Sequence, residues 1–292
     1  MQNSAVRIHL IVNTHRSDAI EAARLTVCRL RERGVEVAAE EDAAGYLDVP
    51  AASQAKIADA DVVICFGGDG TLMRAAHLCS ERGTPILGVY FGRFGFVTQC
   101  KGEELGAFLS QLLDNALITE ERMMLHTQLL RNGKAIAGMH ALNEVVLQRA
   151  VTARMMTFKV TIDSTEITRY PADGVMVATA TGSTAYSMSA GGPIVDPKVQ
   201  AMILTPITPH TLSARPLVLR AESEIVLELQ TEGDAVLSAD GQTRLHLLSG
   251  DEVRVGRSDR VTRLITVDAG DFLVKLRERL LWGHAGVREL DP

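Results

Sequence analysis

Val62-Val63-Ile64-Cys65-Phe66-Gly67-Gly68-Asp69-Gly70-Thr71 runs five apolar residues straight into a glycine-rich turn, and a helix pattern from Leu72 to Arg82 follows. A short apolar run bounded by glycine reads as a strand buried on both faces, as in a parallel sheet covered by helices. The stretch therefore predicts strand, tight turn and helix, with an α/β layer around them. Upstream, Ile8-His9-Leu10-Ile11-Val12 repeats the buried-strand pattern. Ser17 or Asp18 then caps a helix with Ile20, Ala23, Val27 and Leu30 on one face, and Gly34 supplies a left-handed stop. A lone histidine in such a strand, His9, is expected to be packed or solvated rather than catalytic.

Glycines let a backbone approach a phosphate, and the following helix N-terminus offers unpaired N–H groups and the positive end of its dipole. A carboxylate inside such a loop repels phosphate unless it binds Mg²⁺ or takes a proton from a hydroxyl nucleophile. Asp69 is on that ground a candidate general base; the alternative is a tight turn in which Asp69 only caps the helix. The loop is not a Walker A sequence, because no Gly-Lys-Ser/Thr follows. Further on, Gly92-Arg93-Phe94-Gly95-Phe96 succeeds the apolar run Ile86-Leu87-Gly88-Val89. This cluster either brings a ring and a close backbone to a nucleotide at the carboxyl end of the sheet or packs a sheet-edge turn.

From about residue 120 the texture changes to short β-like runs separated by turn residues, which predicts a second, mostly antiparallel domain. Asn132-Gly133 lies between Thr127-Gln128-Leu129-Leu130 and Ala135-Ile136-Ala137, a hairpin signal because that dipeptide tolerates the positive φ angles of a type I′ turn. Ile225 to Leu229 and Val253 to Val255 continue the pattern to about Val267. The tail from Asp271 to Leu281 returns to helix spacing, with Phe272, Leu273, Leu276 and Leu280 as one stripe. Asn143-Glu144 interrupts an apolar run, and either hydrogen-bonds a base and a ribose or ends a strand with solvated side chains. The block from Asp173 to Pro193 passes from a strand into small hydroxylated residues and two glycines. It suits a surface that binds phosphates and ribose, or a Ser/Thr-rich loop with helix caps.

At 292 residues the chain has room for about two domains. Its net charge of -6, with 46% hydrophobic and 23% charged residues, fits a globular chain and excludes a disordered one or a general nucleic-acid-coating protein. No apolar run approaches the ~20 residues of a membrane span, and Ile8 to Val12 is too short for a signal-peptide core. The reading is a cytoplasmic protein without membrane or nucleic-acid partners. Cys28, Cys65, Cys79 and Cys100 show no Cys-x-x-Cys spacing and read as small hydrophobes. The 24 Arg against 6 Lys suit phosphate contacts, and a general compositional bias explains them equally well.

In order and spacing, Gly67-Gly68-Asp69-Gly70-Thr71, Asn143-Glu144 and the Asp173 to Pro193 block resemble the NAD kinase family. Pro209-His210-Thr211-Leu212-Ser213-Ala214-Arg215-Pro216 and Asp240-Gly241-Gln242 extend the match. The Gly-Gly-Asp-Gly element is shared with lipid kinases and phosphofructokinases. Gly182-Ser183-Thr184-Ala185-Tyr186 with Ser189-Ala190-Gly191-Gly192 is much more specific to NAD kinases.

The resemblance implies an N-terminal α/β domain with a mainly parallel sheet over 1–118, joined by a tail, 268–292, that returns to it, and a β-rich NAD-binding domain over 119–267. It implies phosphoryl transfer from ATP, or polyphosphate in some members, to the 2′-hydroxyl of the adenosine ribose of NAD, giving NADP, with Mg²⁺ or another divalent cation. Asp69 would be the proton acceptor, with Gly70 beside the dinucleotide, and Gly67, Gly68 and Phe96 are candidate cofactor-binding residues with it. Asn143, Glu144, Arg154, Asp173, Thr184, Ala185, Tyr186, Ser187, Met188, Ser189 and Gln242 match NAD-contacting positions, and so does Arg74. Homodimers or homotetramers are usual in the family. The rival readings are a lipid or sugar kinase with the same glycine loop, and a non-catalytic NAD-binding regulator.

Four positions depart from the family pattern. Tyr90 stands where Asn is common, Pro171 where a basic residue often precedes the Asp, Ala172 where a small neighbour such as Gly is frequent, and Ala180 where Pro separates the two threonines. Ala180 gives up a fixed φ, Ala172 disfavours a positive one, and Pro171 removes a possible charge.

Overall fold

The computed structural model describes residues 6–91, 95–97, 100–114, 118–150, 155–230, 234–266 and 271–280. The chain divides into two compact units, Met1–Glu121 with Thr262–Pro292, and Arg122–Val261.

In the first unit, β1 (Arg7–Val12), β2 (Glu36–Glu40), β3 (Ala51–Ala52), β4 (Val62–Gly67), β5 (Ile86–Tyr90) and β6 (Cys100–Lys101) alternate with helices. The helices are α1 (Ser17–Glu32), α2 (Glu41–Leu47), α3 (Gln54–Ala58), α4 (Asp69–Cys79) and α5 (Leu105–Leu113). The strands pair in parallel in the order β3-β2-β1-β4-β5; β6 also pairs with β5, and Leu264 joins beside Ile86. The winding reverses between β1 and β4, and ligands of open α/β sheets bind at the carboxyl ends of the strands flanking such a reversal. Ile8, Leu10 and Val12 of β1 and Ile64 and Phe66 of β4 pack with Ala19, Ala23, Val27 and Leu30 of α1.

Helix α1 spans the expected residues and stops at Gly34, whose φ is 72°, but its N-cap is Arg16, without a side-chain cap hydrogen bond. Asp18 instead pairs with Arg16 at 2.6 Å and accepts the Ala19 N–H at 2.8 Å. A cap is worth about 1 kcal/mol, whereas burying Val27 and Leu30 stabilises by about 1.5–3 kcal/mol each, so packing alone holds the helix. His9 is packed, at 1% exposure. Cys65, Cys79 and Cys100 are buried as expected, and burial pushes the thiols of Cys79 and Cys100 up to about 12. Cys28 departs from the expectation: it lies on the outward face of α1 and is exposed. No described helix is long and apolar enough to cross a membrane.

The second unit begins within β7 (Ile118–Arg131), which forms the expected hairpin with β8 (Lys134–Ala141), with φ of 52° at Asn132 and 72° at Gly133. The next strands are β9 (Glu144–Arg149), β10 (Met156–Ile162), β11 (Thr165–Ala172) and β12 (Gly174–Thr179). A 3-10 turn, Thr181–Thr184, and the one-turn helix α6 (Tyr186–Ser189) then precede β13 (Ala201–Ile207), β14 (Leu217–Arg220), β15 (Ile225–Leu229), β16 (Ala235–Ala239), β17 (Thr243–Leu247) and β18 (Glu252–Thr266). One antiparallel sheet has the order β14-β13-β12-β9-β16-β17. The other strands pair as β11-β10-β15-β18, with β7 on β18. Val145, Val175, Val177 and Leu237 from the first sheet share a core with Phe158, Val160, Leu227 and Val253 from the second, as in a sandwich.

Pro171 sits on β11, at the end of its strand order, where a missing N–H breaks no ladder. Ala172 has no positive φ, and Ala180 has φ -59°, the value a proline would impose. Neither alanine therefore distorts the backbone.

The tail helix α7 (Asp271–Arg279) corrects the expected stripe. Leu273 is 68% exposed, while Lys275 and Leu276 are buried. Phe272, Leu276 and Leu280, four apart, share a face; spacing alone would also admit Leu273, three before Leu276, and it is burial that replaces it with Lys275, three after Phe272.

Candidate functional site

The glycine loop joins β4 to α4 without a break. Gly68 is the N-cap of α4 and Asp69 its first residue, so the helix starts three residues earlier than the sequence predicts. Asp69 is therefore not the cap. Its carboxylate accepts the Phe96 N–H at 3.2 Å, and a Cβ added at Gly95 would land on it. The loop and the Gly95-Phe96 segment, read separately in the sequence, thus meet at one carboxylate. Phe96 also carries the Arg279 guanidinium of α7, 6.0 Å from its ring centre. Residues 92–94, the rest of that cluster, lie outside the described residues.

The three glycines differ in purpose. At Gly67 a side chain would collide with Thr71, so the turn itself needs glycine, whereas Gly68 and Gly70 face open space. That open backbone lines a cavity with Asn13, Arg16, Thr71 and Arg74, at the carboxyl ends of β1 and β4 where the winding reverses. Arg74 binds Glu40 Oε2 at 2.7 Å, and burial raises the Glu40 carboxyl even so. Among the described residues, no group of three or more His, Cys, Asp or Glu is placed to hold a metal ion.

In the second unit the Asn143-Glu144 pair opens β9. Glu144 is buried rather than solvated; burial first, and the Asp240 charge second, push its carboxyl up to about 7. Glu144 Oε2 and Asn143 Oδ1 are buried without a hydrogen-bond partner. Gly182 packs directly on the Asn143 carbonyl, where a side chain would collide, so the Asp173 to Pro193 block and the Asn143-Glu144 pair belong together. Asp173 accepts Thr208 Oγ1 and Arg149 Nε, each at 2.6 Å, and these partners, Thr208 first, hold its carboxyl below the usual range.

The hydroxyl-rich block uses many of its hydroxyls within the fold. Thr184 Oγ1 donates to the Thr181 carbonyl, Ser187 Oγ meets Thr205 Oγ1 at 3.2 Å, and Ser183 Oγ bonds the backbone of Val195. Buried hydroxyls must pair with something, and these pair with their own turn. Ala185 and Met188 are half-buried, and Tyr186 and Ser189 are exposed, as is Gln242 in the turn after Asp240. Arg154 lies outside the described residues. Gly95 and Asp240 stand in stretches the sequence reading singled out, the Gly92 to Phe96 cluster and Asp240-Gly241-Gln242, but it gave neither residue a role of its own.

Comparison with known proteins bears on both units. Residues 8–117 match the ATP-NAD kinase N-terminal domain and residues 142–267 the ATP-NAD kinase C-terminal domain. The NAD kinase of Symbiobacterium thermophilum is 40% identical over 275 residues, covering 93% of this chain and 97% of that protein. The NAD kinase of Moorella thermoacetica is 41% identical over 289 residues, covering 98% and 93%. Among solved structures, yeast NADH kinase complexed with NADH superposes with a TM-score of 0.91 at 26% identity, over 99% of this chain and 91% of that one. An NAD kinase from Archaeoglobus fulgidus in complex with ATP gives 0.74 at 25% identity, over 93% and 99%.

Proposed function

The chain belongs to the NAD kinase family, and from that premise we propose that Asp69 is the proton acceptor in transfer of the γ-phosphoryl group of ATP to the 2′-hydroxyl of the adenosine ribose of NAD. As the ribose oxygen bonds to the γ-phosphorus, the bond from that phosphorus to the bridging oxygen breaks and ADP leaves. The hydroxyl proton passes to an Asp69 oxygen, and the products are NADP and ADP. What supports this role is the carboxylate's place at the first residue of α4, steadied by the Phe96 N–H.

The open backbone at Gly68 and Gly70, with the α4 N-terminus, offers N–H groups and a positive dipole end to phosphate oxygens. Arg16 and Arg74 line the same cavity, each paired with a carboxylate, Asp18 or Glu40, and Asp42 lines it too. Mg²⁺ or another hard divalent cation would neutralise charge on the phosphates. Such cations are commonly held by substrate phosphates and one or two carboxylates. Asp42, which lines the same cavity, is the carboxylate there that would fit that pattern.

On the NAD side we assign contacts to Asn143, Glu144, Asp173, the Thr184 to Ser189 segment, Gln242 and Arg154. The unpaired buried atoms of Asn143 and Glu144 support the first two. In the same reading 1–118 with 268–292 is the nucleotide-binding domain and 119–267 the NAD-binding one. The protein is read as cytoplasmic and as a homodimer or homotetramer. The family match decides against a lipid or sugar kinase, and the Asp69 geometry favours a catalyst over an NAD-binding regulator.

The test is NADP formation from ATP, GTP and polyphosphate in parallel, with Asp69→Asn beside the wild type. The variant is expected to lose roughly 10²–10⁴-fold in kcat while calorimetry still detects NAD binding. Near-normal turnover would sink the assignment.

A further inference from the structure

We propose that Asp240 is a positioning residue for NAD, its carboxylate fixing the turn that presents Asn143 and Glu144; the inference rests on the assignment of those two residues as NAD contacts. Asp240 Oδ2 accepts the Leu142 N–H at 2.7 Å, and Oδ1 accepts those of Asn143 and Glu144 at 2.8 and 3.0 Å. Three successive N–H groups closing on one carboxylate form an anion nest, and hydrogen bonds to an ionised acceptor are roughly twice as strong as neutral ones. The Asp240 N–H returns the interaction, donating to the Glu144 carbonyl at 3.0 Å.

Thr179 closes the other side. Its Oγ1 donates to the Leu142 carbonyl at 2.6 Å and its N–H to the Asn143 carbonyl at 2.8 Å. Every backbone N–H and C=O of residues 142–144 is thereby satisfied by Asp240 or Thr179. What the turn leaves unpaired is Asn143 Oδ1 and Glu144 Oε2, both buried. A backbone held this completely beneath two unsatisfied side-chain oxygens is organised to receive a hydroxyl or amide ligand before the ligand arrives.

The residue type fits the task. Asp240 has φ 48° and Gly241 φ 68°, so the position needs a side chain that tolerates left-handed backbone and also reaches the start of the adjacent strand β9. The same carboxylate stands near Glu144, the other contact there being the Tyr186 N–H from α6, and helps to keep Glu144 protonated towards neutral pH.

Asp240→Asn tests this, because Asn keeps the size and the left-handed tolerance but turns an NH₂ towards backbone N–H donors. It is expected to raise KM for NAD by about tenfold or more, with KM for ATP within about twofold. The pH profile of kcat/KM for NAD should move to lower pH, since Glu144 loses a charged neighbour. Asn143→Ala and Glu144→Gln are measured alongside. If neither raises KM for NAD, the contact assignment fails. If they raise it and Asp240→Asn keeps the wild-type KM and pH profile, or shifts both substrates in parallel, the positioning role fails. Should Asp240→Asn not fold, hydrogen exchange in the wild type decides: the amides of 142–144 should be strongly protected, and exchange at open-loop rates overturns the inference.

Discussion

At Asp69 the neighbours far downstream, Gly95 and Phe96, matter as much as the loop that carries it. Gly95 leaves room for the carboxylate, and the Phe96 N–H orients one of its oxygens. Gly95→Ala is therefore expected to displace the carboxylate and lower kcat by roughly 10- to 100-fold, with little change in melting temperature. Unaltered kcat in a steady-state assay would show that this contact does not set the geometry. The chemistry of Asp69 was legible in the sequence, because a carboxylate among phosphate-binding glycines needs a reason. Its partner was not, since only the fold brings Gly95 to it, and no periodicity reports a contact of that range. The same holds for Asp240, nearly a hundred residues from the turn it clamps. The hydroxyls of Ser183, Thr184 and Ser187 show the reverse side of this: their abundance is plain in the sequence, but their bonds to Val195, Thr181 and Thr205 within the fold are not.

Elements with a strict pattern were legible to within a few residues. Strand β4 is the five-residue apolar run plus one glycine, and the Asn132-Gly133 turn takes the two positive φ angles its residues permit. Gly133→Ala keeps the hairpin's register but places a Cβ in left-handed backbone, so urea denaturation should show a loss of about 1–2 kcal/mol with NAD affinity unchanged. Helix ends were less legible. Ser17 and Asp18 both suit a cap, yet α1 is held by its buried face and begins after Arg16 without one. In α7 Leu273, three residues before Leu276, has the spacing of the stripe, yet it is exposed and Lys275 is buried in its place.

At the scale of the whole molecule, two buried titratable groups tilt stability in opposite directions. Glu144 binds its proton more tightly folded, near 7, than at its ordinary 4.5, so its contribution is complete below pH 4.5 and is lost as pH rises through 7. Removing that slope, Glu144→Gln should gain stability relative to wild type over this window, by on the order of 3 kcal/mol at its upper end. Urea titrations at several pH values measure it, and a constant difference would contradict the buried, protonated carboxyl. His9 works the other way: burial lowers its affinity for a proton from the ordinary 6.5, so stability falls as pH drops below 6.5.

Strand β18 pairs with β15 at Glu252–Val255 and ends with Leu264 beside Ile86. During synthesis β5 leaves the ribosome early, and β6 soon covers its Val89–Tyr90 end. The Ile86 end waits for a residue 178 positions later, 264 minus 86. At about 5–20 residues per second that is roughly 10–40 s in which a nascent sheet shows an unfinished edge. An edge left open for so long is exposed to wrong pairing until the last strand emerges.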